Sequence, residues 1–164
     1  MEPISTPICL TFLGTGTSQG VPIIGCDCAV CCSADERDHR LRTSAMVEVA
    51  NQRFIIDAGP DFRQQLLREG VSHITAILLT HKHKDHIGGI DDVRALNFVD
   101  YPRAIHTVHI YGSHDTCACV RKDYDYAFSD NPYRGVPQIE LHEFGAEPFE
   151  VEGVEIVPIK GEHL

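Results

Sequence analysis

Thr80-His81-Lys82-His83-Lys84-Asp85-His86-Ile87-Gly88-Gly89 packs three imidazoles and one carboxylate into the six residues 81–86. Neutral imidazole and carboxylate are the donors that first-row divalent ions prefer. The run Ile74–Thr80 is continuously apolar and β-branched, which predicts a buried strand. The histidines therefore sit in the loop at a strand's C-terminal end, where α/β proteins build their sites. Such a loop turns His81 and His83 towards one point and Asp85 and His86 towards a second. Two ions roughly 3.5–4 Å apart suit this spacing, and they can share a water whose pKa falls to about 7. The bland alternative is a solvated His-rich loop, and so dense a set of donors after a buried strand speaks against it.

Outward from this run, strands alternate with helices. Ile8–Leu13 reads as a strand ending in Gly14-Thr15-Gly16. Residues 17–42 are irregular and too long for a plain connection, so they are functional or metal-stapled. Ser44–Val49 and Arg53–Asp57 form a hairpin. Asp61–Glu69 is a helix that Gly70 stops. A helix begins within Ile87–Asn97, Ile105–Tyr111 is a strand, and Ser113 caps a helix over His114–Phe128. Ile139–Phe144, Pro148–Val151 and Val154–Ile159 close the pattern as strands. The expected fold class is α/β with a mixed sheet, in one domain over residues 1–164, a length that supports a real core.

Composition narrows the function. The formal net charge is −10, which does not suit a broad phosphate-backbone footprint and argues against a nucleic-acid partner. Apolar runs are strand-sized, so no membrane span is expected. No basic region with a long apolar stretch opens the chain, and the seven cysteines are an odd number. Both point to a reducing cytoplasm rather than a disulfide scaffold. Cys26-Asp27-Cys28-Ala29-Val30-Cys31 places three thiolates at a spacing that grips one Zn²⁺, with a fourth ligand from elsewhere. Free or buried thiols are the alternative. Cys32 is adjacent, but its side chain should point away.

The stretch Thr80–Gly89 resembles the signature of the metallo-β-lactamase superfamily, and Asp57-Ala58-Gly59 resembles that family's first Asp motif. Phe12-Leu-Gly-Thr-Gly-Thr-Ser-Gln-Gly-Val-Pro22 and Gly25–Cys31 make the chain similar to the phosphonate-operon branch, the phosphoribosyl 1,2-cyclic phosphodiesterases. The His run identifies the superfamily, and the Cys trio selects the branch. The resemblance implies an αββα sandwich, here mainly its N-terminal half. It implies two active-site ions, Zn or Mn, and one structural Zn on Cys26, Cys28 and Cys31. His81, His83 and His163 then hold the first ion. Asp85 and His86 hold the second, with Asp85 also the catalytic candidate. Asp57 orients the loop from behind the ligands.

The implied function is a metallo-hydrolase, most simply a phosphodiesterase that opens small cyclic or diester phosphates with a metal-bridging hydroxide. The alternatives are another hydrolase of the superfamily (a transfer-RNA 3′ endonuclease, a thioesterase or a lactamase) or a non-catalytic zinc-stapled fragment. Family members are longer and draw further ligands from a second half, so the chain is expected to be truncated at its C-terminus and its own turnover is left open. An uncovered sheet edge would favour a homodimer. Among the weaker signals, Cys117 and Cys119 read as core packing. His106 and His109 read as residues on opposite faces of one strand, and His73, His114 and His142 as surface or capping residues. Arg42-Thr43-Ser44 offers phosphate-binding donors at a strand start or, equally well, simple turn chemistry, and Tyr124, Tyr126 and Tyr133 line a cleft or pack.

Overall fold

The computed structural model describes residues 6–130, 132, 133 and 135–161. Its framework is a six-stranded mixed sheet, in the spatial order of the chain: β1 (Ile8–Gly14), β2 (Ser44–Val49), β3 (Gln52–Ile56), β4 (Ala76–Leu78), β5 (Val108–Gly112) and β6 (Ile139–Glu143). The pairs β1/β2 and β2/β3 are antiparallel, and β3/β4, β4/β5 and β5/β6 are parallel. A small antiparallel pair, β7 (Phe149–Val151) and β8 (Val154–Ile156), forms a second sheet. The helices are α1 (Phe62–Glu69), α2 (Lys84–Ile87), α3 (Val93–Asn97) and α4 (His114–Asp123).

Alternation along the strands sorts the two faces. Met46, Ile55, Ile77, Ile110 and Leu141 stand in register across five strands. They meet Phe62, Leu66, Ile87, Ile90, Val93 and Val120 from the helical layer to make the main core. The opposite face carries a second row, Leu10, Val47, Phe54 and Ala76. Phe54 and Ala76 pack there against Val151, Phe149, Val154 and Ile156 of the small sheet. On this face Ile8, Leu10 and Phe12 of β1 stay exposed. Ile77 is fully buried, so Ile77→Val is expected to cost about 1 kcal/mol, read as a small fall in the denaturant midpoint at unchanged slope.

Several elements are shorter than their sequence patterns predict. The strand expected over Ile74–Thr80 spans Ala76–Leu78, because the Thr80 N–H turns to the Asp57 carboxylate. The strand expected from Ile105 starts at Val108: Ile105 is exposed, and the His106 N–H donates to the Asn97 carbonyl instead. The expected helix from His114 to Phe128 ends at Asp123 and continues as a 3-10 turn over Asp125–Phe128. The helix expected from Ile87 begins earlier, at Lys84, and is broken by a 3-10 turn over Ile90–Asp92. Residues 17–42 are irregular as expected, apart from a 3-10 turn over Glu36–Asp38 and isolated bridges Gly16 to Arg42 and Val21 to Arg40. Among the described residues no helix is long and apolar enough to cross a membrane.

Candidate metal centre

Asp57 closes β3 with a left-handed backbone, φ 63°, an uncommon conformation for a residue other than glycine. That turn drives its carboxylate inward, where the residue is 2% exposed. One oxygen accepts the Thr80 N–H at 2.8 Å, and the other accepts the Thr80 hydroxyl at 2.8 Å and the His86 Nδ1–H at 2.7 Å. A carboxylate can only accept here, so His86 must carry its proton on Nδ1. Its Nε2 then lies 3.2 Å from Asp85 Oδ2. The hydrogen bond that His86 donates to Asp57 raises the His86 pKa above its ordinary value, against the opposing effect of burial.

The His81 and His83 rings converge on the same side. His81 Nε2 stands 3.1 Å from His83 Nδ1, and its Nδ1 stands 3.0 Å from the Thr80 hydroxyl. The His81 and His86 ring centres are 4.0 Å apart. Ligands about 2.0–2.2 Å from a zinc ion are separated by roughly 2.9–3.5 Å across its coordination angles. The His81/His83 pair and the Asp85/His86 pair both match that span, the spacing of two donors on a divalent ion. Beside His81 opens a cleft of about 460 Å³ lined by Leu78, Thr80, Phe144, Pro158 and Ile159.

Backbone contacts fix this loop. The Ala58 N–H donates to the His86 carbonyl at 2.8 Å, and the Gly89 N–H donates to the Ala58 carbonyl at 2.9 Å. The His83 carbonyl accepts from the His86 and Ile87 amides and so starts α2. Lys84 pairs with Asp123, and the Tyr124 hydroxyl donates to the Ile87 carbonyl at 2.8 Å, tying α2 to the end of α4. Thr80 is the participant that reasoning from sequence missed. Its place beside His81 was the available signal, since a hydroxyl there can bridge the strand end to the first Asp.

The sulfur atoms of Cys26, Cys28 and Cys31 lie within 4.8 Å of one another, and Cys32 is not among them. These thiols are exposed or half-exposed rather than buried. The Cys31 N–H donates to Cys28 Sγ and the Ile23 N–H to Cys31 Sγ, each at 3.4 Å. The Cys31 amide and the neighbouring Cys26 thiol lower the Cys28 pKa to about 7. At Cys31 the Ile23 amide pulls the pKa down, but the neighbouring sulfurs and desolvation outweigh it and the net shift is upward. One thiol poised as thiolate beside two others suits a soft or borderline ion.

Other expected placements differ. His163 lies outside the described residues. Arg42 is engaged within the fold: its backbone N–H and guanidinium both bind Asp61, at 2.8 and 2.9 Å. Ser44 donates to the Ile56 and Asp57 carbonyls, so Arg42-Thr43-Ser44 braces the site from beneath. His142 is no simple surface residue, because its Nε2 meets His109 Nδ1 at 2.9 Å. His106 lies before β5 and pairs with Asp100, as does His73.

Residues 52–164 match the family model described as beta-lactamase superfamily domain. Over 93% of this chain, and 56% of the other, the structure is similar to the crystal structure of a new diphosphatase from the PhnP family, at 43% identity and TM-score 0.80. The octanoyltransferase of Porphyromonas gingivalis is 40% identical over 154 residues, 93% of this chain and 30% of that protein. The ribonuclease Z of Bradyrhizobium diazoefficiens is 41% identical over 83 residues, 49% of this chain and 22% of that protein. The chain thus spans a third or less of these two proteins' length and about half of the solved structure.

Proposed function

The chain belongs to the metallo-β-lactamase superfamily, in its PhnP-like branch, and on that premise we propose that it is the metal-binding half of a phosphodiesterase for small cyclic or diester phosphates. The observation that carries this reading is the clamp of Asp57 on His86. It fixes the tautomer that leaves Nε2 as a ligand, aimed at Asp85 and next to the His81/His83 pair. His81 and His83, with His163 as the third donor, hold one divalent ion, and Asp85 and His86 hold the second. Such a pair of ions, zinc or manganese, supplies Lewis acidity and a water acidic enough to attack near neutral pH. With the ions bound, Asp85 would be the carboxylate to take up a proton there, and Asp57 keeps His86 from turning away. The cleft beside His81, about 460 Å³, has room for a small ester. Cys26, Cys28 and Cys31 hold a zinc that stiffens residues 17–42, and the reduced thiols suit a cytoplasmic protein.

The similarity to a PhnP-family diphosphatase over 93% of the chain favours phosphate chemistry. A second reading, RNA cleavage, draws on the likeness to ribonuclease Z over half the chain, but the net charge of −10 opposes it. The test uses the gene product that carries this chain, loaded with Zn²⁺ or Mn²⁺. It is offered a cyclic ribose phosphate, a chromogenic phosphodiester, a precursor transfer RNA, a thioester and a β-lactam side by side. Phosphodiester turnover that a chelator abolishes and metal restores is the expected result. Turnover confined to RNA, thioester or lactam, or turnover indifferent to the chelator, overturns the proposal.

A further inference from the structure

The second face of the main sheet is apolar from Leu10 through Val47 and Phe54 to Ala76. The same row then continues into His109 of β5 and Glu140 of β6, which are direct register partners. One row further on, Tyr111 of β5 pairs with His142 of β6. Alternation therefore puts His109, Glu140 and His142 on one face of two neighbouring strands. This pattern places three metal-type donors where burial by the small sheet gives way to solvent.

A hydrogen bond accounts for the two rings but not for the carboxylate. His109 Nδ1 and His142 Nε2 stand 2.9 Å apart, so only one of the two nitrogens can carry the proton between them. The Glu140 oxygens lie 3.7 Å from His109 Nδ1 and 3.6 Å from His142 Nε2, too far to accept a hydrogen bond from either ring. Each oxygen faces one imidazole, so the carboxylate straddles the pair across a gap. Ligands about 2.0–2.2 Å from a zinc ion stand roughly 2.9–3.5 Å apart. The two nitrogens already meet that requirement, and the carboxylate lies about one or two tenths of an ångström beyond it. The three donors belong to the sheet's own ladder, and His142 is further held flat against Tyr111, ring centres 4.4 Å apart. The other cluster of this composition, His73, Asp100 and His106, is different. There both imidazoles donate to the one oxygen Asp100 Oδ2, at 3.2 and 2.8 Å, and hydrogen bonds account for it without an ion.

We propose that His109, Glu140 and His142 form a further divalent-metal site, separate from the His81–His86 loop and the Cys trio, that cross-links β6 to β5. Two imidazoles and one carboxylate select Zn²⁺, Co²⁺ or Ni²⁺ over the all-oxygen ions Mg²⁺ and Ca²⁺. The ion pins the edge strand β6 to the rest of the sheet, and its remaining positions face solvent.

The test is equilibrium dialysis of the intact chain against Zn²⁺ and, separately, Co²⁺, with bound ions counted by mass spectrometry. Imidazole carbon–proton resonances are followed in the same titration. The wild type is expected to bind one more equivalent than His142→Gln or His109→Gln. Glu140→Gln is expected to raise the half-saturating zinc concentration of that equivalent roughly tenfold or more. The His109 and His142 resonances shift with zinc and not with Mg²⁺. Circular dichroism confirms that each variant is folded, and His109→Gln, at the more exposed position, serves if His142→Gln is not. Equal ion counts in the wild type and the folded variants, or His109 and His142 resonances unmoved by zinc, overturn the proposal.

Discussion

Asp57→Asn is expected to weaken zinc binding at the His81–His86 loop by roughly 10–100-fold, the usual cost of losing the partner that orients a ligand histidine. The buried carboxylate accepts from the Thr80 amide, the Thr80 hydroxyl and His86 Nδ1. Asparagine has one oxygen. If that oxygen stays on the Thr80 amide, the new NH₂ faces the His86 Nδ1–H, donor against donor. His86 relieves this by moving its proton to Nε2, the nitrogen that points at Asp85 and must be bare to bind metal. If the amide flips, the Thr80 N–H loses its acceptor, and the end of β4 loosens. Competition with a zinc-chelating dye measures the loss, and affinity within about twofold of wild type would refute the role given to Asp57.

The same substitution has a signature in the metal-free protein. The Asp57 hydrogen bond holds the His86 pKa above its ordinary value of about 6.5. A group raised on folding stabilises fully below its unfolded pKa, and that stabilisation is lost as pH rises through the folded value. Asp57→Asn is thus expected to destabilise the metal-free chain more at about pH 5.5 than at about pH 8. The His86 resonance should titrate lower in the variant than in the wild type. An unchanged His86 titration would place the carboxylate's effect elsewhere.

The sequence disclosed the loop because metal donors are rare and were crowded into one run, and it disclosed the strands because their apolar positions repeat with period two. It disclosed β3 and β4 as strands but not their exact ends, because ends depend on competing acceptors. Thr80 would continue β4 if Asp57 were not waiting for its N–H. At Arg42-Thr43-Ser44 local pattern offers no choice between anion binding and turn chemistry, and only the fold shows Asp61 on the Arg42 guanidinium. The trio on β5 and β6 was invisible. Periodicity gives the face of a residue within its own strand, but His109 and His142 are separated by α4, and nothing local says that their strands are neighbours. Ile105 opens the strand expected over Ile105–Tyr111, but its apolar side chain lies in solvent and His106 falls before β5.

Gly59→Ala is expected to cost about 3 kcal/mol or more, a fall of roughly 6–12 °C in Tm for a domain of this size. The reason is contact and not conformational freedom, since Gly59 does not adopt the left-handed backbone. A Cβ there would lie 2.0 Å from the Asp85 carbonyl oxygen and 3.0 Å from its carbon. These are backbone atoms and cannot rotate aside. Gly89 faces the reciprocal problem, with a Cβ placed 2.0 Å from the Gly59 carbonyl oxygen. The two glycines let the Asp57–Gly59 turn lie flat on the Asp85–Gly89 segment, close enough for the hydrogen bonds Ala58 to His86 and Gly89 to Ala58. A methyl group at either position levers Asp85 and His86 away from Asp57, so metal affinity falls together with stability. Gly145→Ala is the control, because a Cβ there meets nothing within 4 Å, and its Tm should stay within about 2 °C of wild type. Thermal melts and zinc titrations on the three proteins decide the matter. If Gly59→Ala melts with Gly145→Ala, the two segments are not held in contact, and the geometry that aims His86 at Asp85 must arise from the Asp57 carboxylate alone.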